Sequence, residues 1–155
     1  MSSYQEQFNS FIEKLGPAMS EVLLIEQVSP QLCLLALETY ESAIALRLDE
    51  DTGTLTLSCE LGRPQEEAQF KIYETLLIYN SLAHLHGGIR MALREPGGVI
   101  VQEFDAPLGS LQIEQWMNLI IDFSKKASAW EEIIESAETP AIEDLEDPSW
   151  NVLRP

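Results

Sequence analysis

Two histidines, two cysteines and 26 acidic residues are the side chains of this 155-residue chain best suited to chemistry. His84-x-His86 is the one pair with the look of a metal site. Side chains two apart on a helix point about 200° apart, and neither a Cys pair nor a third His completes a tetrahedral set. The two fit the C-terminal end of a helix, where histidine interacts well with the dipole. Glu38, Glu41, Asp49, Glu50, Asp51, Glu60, Glu103 and Asp105 could supply a general acid–base pair or oxygen ligands for calcium. Asp49-Glu50-Asp51-Thr52-Gly53, however, lacks the spaced ligands and terminal Glu of an EF-hand loop and reads as a solvated turn. Cys33 and Cys59 each fall inside a strand pattern, as buried thiols acting as small apolar residues. There is no Walker loop, dinucleotide-binding glycine motif or nucleophile elbow. Gly87-Gly88 and Gly97-Gly98 sit at turns, where glycine relieves backbone strain. The expectation is a protein without catalysis, cofactor or metal.

Charge narrows the partners. Nine basic residues against 26 acidic ones leave a net charge of −17. Such a chain repels nucleic acid and anionic membrane surfaces, and favours solubility and basic partners. The N-terminus lacks the basic start and apolar run of a signal peptide, and no apolar stretch approaches the roughly 20 residues of a membrane span. A cytoplasmic protein with no membrane insertion is expected.

Tyr4, Phe8, Phe11, Ile12 and Leu15 recur at helical spacing, with Gly16-Pro17 as the expected stop. Val22–Ile25 reads as a short extended segment, and a strand follows over 32–38. Ile44, Leu46 and Leu48 then alternate with Ala43, Ala45 and Arg47, and Leu55, Leu57, Cys59 and Leu61 with Thr54, Thr56, Ser58 and Glu60. Period-2 alternation places one apolar row on each strand, and the 49–53 turn joins the two as a hairpin, so a three-strand meander is expected. Pro64 suits the first position of a second helix. That helix carries Phe70, Tyr73, Leu76, Leu77, Asn80 and Ala83 on one face and Ile72, Ile78, Tyr79 and Leu82 elsewhere. A helix apolar on two sides must cover two things, its own sheet and a second protein surface. Residues 89–94 and 99–104 form another hairpin. Ser110 is placed to cap a final helix, in which Trp116, Ile120, Phe123, Ala127, Trp130 and Ile134 make a 3.5-residue seam. That seam is too short for a coiled coil and is expected to lie across the sheet. The fold class is α+β: helix, three-strand antiparallel meander, helix, strand hairpin, long C-terminal helix packed on the sheet. One domain is expected over 1–136. Residues 137–155 read as a mobile acidic tail, with Trp150, Val152 and Leu153 as possible docking residues.

This order of elements resembles the class I type III secretion chaperones, the Tir-chaperone-like family. The likeness covers about residues 3–136. It is carried by Leu76-Leu77-Ile78-Tyr79-Asn80-Ser81-Leu82 running into Gly87-Gly88-Ile89-Arg90-Met91-Ala92-Leu93, and by Leu108-Gly109-Ser110-Leu111 before the last helix. The resemblance implies a homodimer in the bacterial cytoplasm that holds the N-terminal region of a secreted effector protein in extended form. It implies a dimer contact through Ile72, Leu76, Tyr79, Ile89 and Met91, and effector-binding apolar patches at Phe8, Phe11, Leu35, Leu37, Ile44 and Leu46. Each of these residues reads equally well as plain core. Other readings also stay open: a regulatory or anti-activator protein of the same architecture, and an enzyme using the carboxylate-rich strands.

Overall fold

A capping box starts the first helix. Ser3 Oγ accepts from the Glu6 N–H at 3.1 Å, and Glu6 Oε2 accepts from the Ser3 N–H at 2.8 Å, so two end groups are satisfied reciprocally. The helix is α1 (Tyr4–Ala18) of a computed structural model that describes residues 2–38 and 40–147. Its buried face is Phe8, Phe11 and Leu15. Gly16-Pro17 does not stop it, because Pro17 lies in its last turn and Met19 is the cap.

Six strands follow in two sets: β1 (Val22–Ser29), β2 (Leu32–Leu37), β3 (Tyr40–Asp49) and β4 (Thr54–Gly62), then β5 (Arg90–Leu93) and β6 (Ile100–Pro107). Between them runs α2 (Gln69–Ser81), flanked by one-turn 3-10 helices at Glu66–Ala68 and Ala83–Leu85; α3 (Ile113–Ser136) and α4 (Ile142–Glu146) close the described chain. The fold is α+β, as expected. Pro64 lies ahead of the helical residues and does not begin α2.

The described chain divides into two compact units: the residues up to Cys59 with Asp105–Ser124, and Glu60–Phe104 with the described residues from Lys125. In the first unit the meander has four strands, all antiparallel. Leu35 pairs with Ile25 and Ile44, and Leu46 with Cys33 and Leu57. The expected alternation holds: Cys33, Leu35, Leu37, Ile44, Leu46, Leu48, Leu55, Leu57 and Cys59 are all buried. The fourth strand is β1, eight residues long rather than the short segment expected. Its sequence does not alternate, because bulges interrupt it twice.

The second unit holds α2 and the β5–β6 hairpin, in which Met91 pairs with Gln102 and Leu93 with Ile100. The helix α3 runs through both units. Its seam is buried from Trp116 to Ile134. Ser110 does not cap it: its hydroxyl donates to the Pro107 carbonyl within a 3-10 turn at Leu108–Ser110. The helix starts three residues later, where the Gln112 N–H donates to Gln115 Oε1 at 2.8 Å. Within the first unit the Leu108 N–H donates to the Gly53 carbonyl at 2.9 Å, and the Leu108 carbonyl accepts from Trp116 Nε1 at 3.1 Å. The Trp116 ring meets Phe11 edge-on, with centroids 5.9 Å apart.

The expected mobile tail is helical over Ile142–Glu146, and Leu145 in that turn is buried. Trp150, Val152 and Leu153 lie outside the described residues.

Gly53 adopts φ +72, and a Cβ there would fall 2.5 Å from the Tyr4 ring. Gly53→Ala should therefore lower stability by about 1–2 kcal/mol through left-handed strain alone. Urea unfolding should show it, and removing the Tyr4 ring should not restore the loss.

Candidate functional site

The six residues expected to bind an effector are interior. Phe8, Leu35, Ile44 and Leu46 have no exposed surface, and Leu37 and Phe11 keep only 3% and 8%. They form the apolar core of the first unit. The physical reason is their position: each lies on the inward row of a strand or on the buried face of α1, so burial uses up the surface that a client would need.

Apart from Tyr4 on α1, the large apolar side chains that this unit exposes are on β1. Leu23, Leu24 and Val28 are 64%, 59% and 55% exposed. Among the described residues this strand ends the strand order and pairs only with β2. Its register shifts between Val22 and Leu24 and between Gln27 and Ser29, so Leu23 and Val28 are the extra residues of two bulges. A bulge turns a side chain out of the regular alternation, which is how an edge strand comes to show apolar residues to solvent. At the far end of β1, Gln5 Nε2 on α1 donates to the Pro30 carbonyl at 2.7 Å, and Gln27 Nε2 donates to the same oxygen at 3.4 Å. The helix and the β1–β2 turn are thereby tied together, which holds the strand in place.

In the second unit the expected dimer residues Ile72, Leu76, Tyr79, Ile89 and Met91 are buried as well. The exposed apolar residues beside them are Phe70, at 80%, and Leu77, at 69%. With Tyr73 they form an i, i+3, i+7 stripe along α2. The helix therefore does present two apolar sides, but the outer one is Phe70–Leu77 and the inner one Ile72–Tyr79. A groove of about 250 Å³ runs between this stripe and β5, lined by Tyr73, Leu76, Leu77, Met91, Leu93 and Ile100. Two of the five expected residues, Leu76 and Met91, thus line it from beneath. The Tyr73 hydroxyl oxygen is shielded from solvent and has no hydrogen-bond partner among the described residues.

Asn80 joins α2 to β5 at the groove. Its Nδ2 donates to the Met91 carbonyl and its Oδ1 accepts from the Met91 N–H, both at 2.8 Å. The side-chain amide thus pairs with β5 as a neighbouring strand would. In an antiparallel ladder, outward-facing backbone groups recur at every second residue, so the next pair along β5 belongs to Leu93, at the groove. The Asn80–Met91 pair is the physical content of the apolar helix, Asn and hairpin pattern seen in the sequence.

At the end of α2 the two histidines part. His84 is exposed on the 3-10 turn, whereas His86 is buried and stacked on Tyr79 with centroids 4.9 Å apart. Among the described residues no three His, Cys, Asp or Glu side chains are grouped to hold a metal ion. The 49–53 acids form a turn in which Asp49 Oδ1 accepts from the Asp51 and Thr52 N–H groups. Burial pushes the Cys33 thiol above its ordinary pKa, which suits an apolar filler and not a nucleophile. None of the described helices is long and apolar enough to cross a membrane.

No protein-family model matches the chain, and no curated protein matches it. Among solved structures it is similar to a chain of the ExsC–ExsE complex, with a TM-score of 0.68 and 15% identity over 88% of this chain and 100% of that one. It is also similar to a chain of the heterodimeric ExoU–SpcU complex from the type III secretion system of Pseudomonas aeruginosa. There the TM-score is 0.49, with 17% identity over 85% of this chain and 98% of that one. The first likeness shows that the chain shares the fold of that chain of the ExsC–ExsE complex.

Asn80→Ala should cost roughly 2–3 kcal/mol, since two hydrogen bonds go and the Met91 backbone groups lose their partner. Asn80→Asp should do no better, because a carboxylate cannot donate to the Met91 carbonyl. Chemical denaturation of the three proteins measures both. Native Cys33 should resist alkylation at pH 8 until the chain is unfolded in urea.

Proposed function

We propose that this protein is a type III secretion chaperone of the bacterial cytoplasm, which binds the N-terminal region of a secreted effector in extended form and keeps it soluble and ready for export. It acts by binding, without catalysis, cofactor or metal. The observation that carries this reading is the β1 edge. A strand with one unpaired side and three exposed apolar residues offers an extended client both main-chain hydrogen bonds and side-chain contacts. Ordering such a client costs about 2–5 kcal/mol or more, which favours an apolar contact over a purely polar one. The charge of −17 speeds encounter with a basic segment and keeps the loaded chaperone in solution.

The working form is a homodimer, and the groove between α2 and β5 is its contact. Phe70, Tyr73 and Leu77 supply an apolar ridge, and the buried Tyr73 hydroxyl gains a partner that the described residues of one chain do not provide. Ile72, Tyr79 and Ile89 support this face from the core.

Light scattering should give twice 17.4 kDa at micromolar concentrations, and Phe70→Glu with Leu77→Glu should give the monomer. A protein of monomer mass at every concentration would remove the dimer from the proposal. Leu24→Lys with Val28→Lys should weaken capture of a secreted protein encoded beside this one at least tenfold while leaving the dimer intact. Unchanged capture would mean that the client binds elsewhere.

A further inference from the structure

The 3-10 turn after α2 ends at a socket with an occupant. His86 stacks on Tyr79, and Tyr79 meets Trp130 edge-on with centroids 5.1 Å apart. Against this aromatic group lies α4, packed on α2. Leu145 is its one buried residue, 1% exposed, and the Leu145 carbonyl accepts a 2.7 Å hydrogen bond from His86 Nε2. A carbonyl can only accept, so His86 carries its proton on Nε2. Everything else in the turn faces solvent: Ile142, Glu143, Asp144 and Glu146 are exposed.

Three features mark this turn as a ligand and not as part of the framework. First, five residues are far too few for a helix that is stable by itself, and no side chain caps its N-terminus. Its shape therefore depends on the socket. Second, Leu145 supplies both the buried side chain and the carbonyl that bonds His86, the usual economy of a short peptide in a pocket. Third, the link back to α3 is strained. Ala137 sits at φ 60, the one non-glycine residue with positive φ among those described, in a conformation that glycine adopts freely and alanine does not. Docking works against that strain.

We propose that the socket formed by Tyr79, His86 and Trp130 is a peptide-binding site for a one-turn helix that presents a leucine, that α4 occupies it as an intramolecular ligand, and that an added segment of the same chemistry displaces α4. The leucine side chain fills the socket, and the leucine carbonyl takes the His86 proton donor. The tether raises the local concentration of α4 to the millimolar range typical of short linkers, so the resident segment masks the site from weaker ligands. This site is separate from the β1 edge and from the α2–β5 groove, and it does not rest on the chaperone reading.

The test uses the full-length chain and a fluorescent synthetic peptide of residues 138–147, with binding read by polarisation. Leu145→Ala empties the socket and should bind the peptide at least tenfold more tightly than the wild-type chain, whose own α4 competes. Ala137→Gly relieves the strain, favours the docked form, and should bind the peptide several-fold more weakly than wild type. A peptide carrying Leu145→Ala should bind none of the three. Equal binding by the wild-type and Leu145→Ala chains would overturn the proposal. So would no binding to a Leu145→Ala chain whose circular dichroism is native. Loss of the native spectrum in that variant would also overturn it, by making α4 part of the framework.

Discussion

Leu108 is buried, and both of its backbone groups need partners there, since an unpaired buried amide or carbonyl costs as much as a lost hydrogen bond. Its N–H goes to the Gly53 carbonyl and its carbonyl to the Trp116 indole. The first partner exists because residue 53 can hold a left-handed turn, and the second because the first turn of α3 delivers Trp116 to that spot. The chain returns to the first unit at this point after building α2 and a hairpin elsewhere. Where α3 begins decides which of its residues face inward. The seam from Trp116 to Ile134, which serves both units in turn, is set by this pair of hydrogen bonds and by the Gln112–Gln115 bond that opens the helix.

That constraint has a consequence for the surface. Once Phe8, Phe11 and Leu15 and the inward rows of β2, β3 and β4 are committed to the core of the first unit, Leu23, Leu24 and Val28 of β1 are left outside it. They face solvent at an unpaired edge. The second unit repeats the situation. Inward use of Ile72, Leu76 and Tyr79 leaves Phe70 and Leu77 outside. A protein this acidic tolerates two such patches because its charge opposes indiscriminate association, while each patch stays available to a partner of matching shape. Binding surface and core are complementary products of the same packing.

The sequence by itself determined the element types wherever a period was clean. Alternation in 44–48 and 55–61, helical spacing in 4–15 and the 3.5-residue seam of the last helix all correspond to buried rows, because burying one face is the physical reason for the period. The α+β class follows from the order of those elements. The capping box at Ser3 and Glu6 is also legible in the sequence, as a Ser-x-x-Glu signal ahead of an apolar run. Where the signals were less clear, local reading failed. Gly16-Pro17 did not stop α1, which runs on to Ala18 with Pro17 inside it. Ser110 capped nothing, because its hydroxyl was drawn into its own 3-10 turn.

Only the tertiary structure decided which apolar residues are surface. Periodicity says that a residue belongs to an apolar row but not whether another part of the chain already covers that row, and so the expected binding residues turned out to be core. The edge position of β1 depends on strand order, its outward leucines and valine on two bulges, and the pairing of Asn80 with Met91 on the approach of α2 to a hairpin ten residues away. The helical turn at 142–146 is the clearest case. Its sequence is acidic and bounded by Pro140 and Pro148, with nothing to hold a helix locally. It packs on α2, and the Leu145 carbonyl meets His86, 59 positions earlier in the chain.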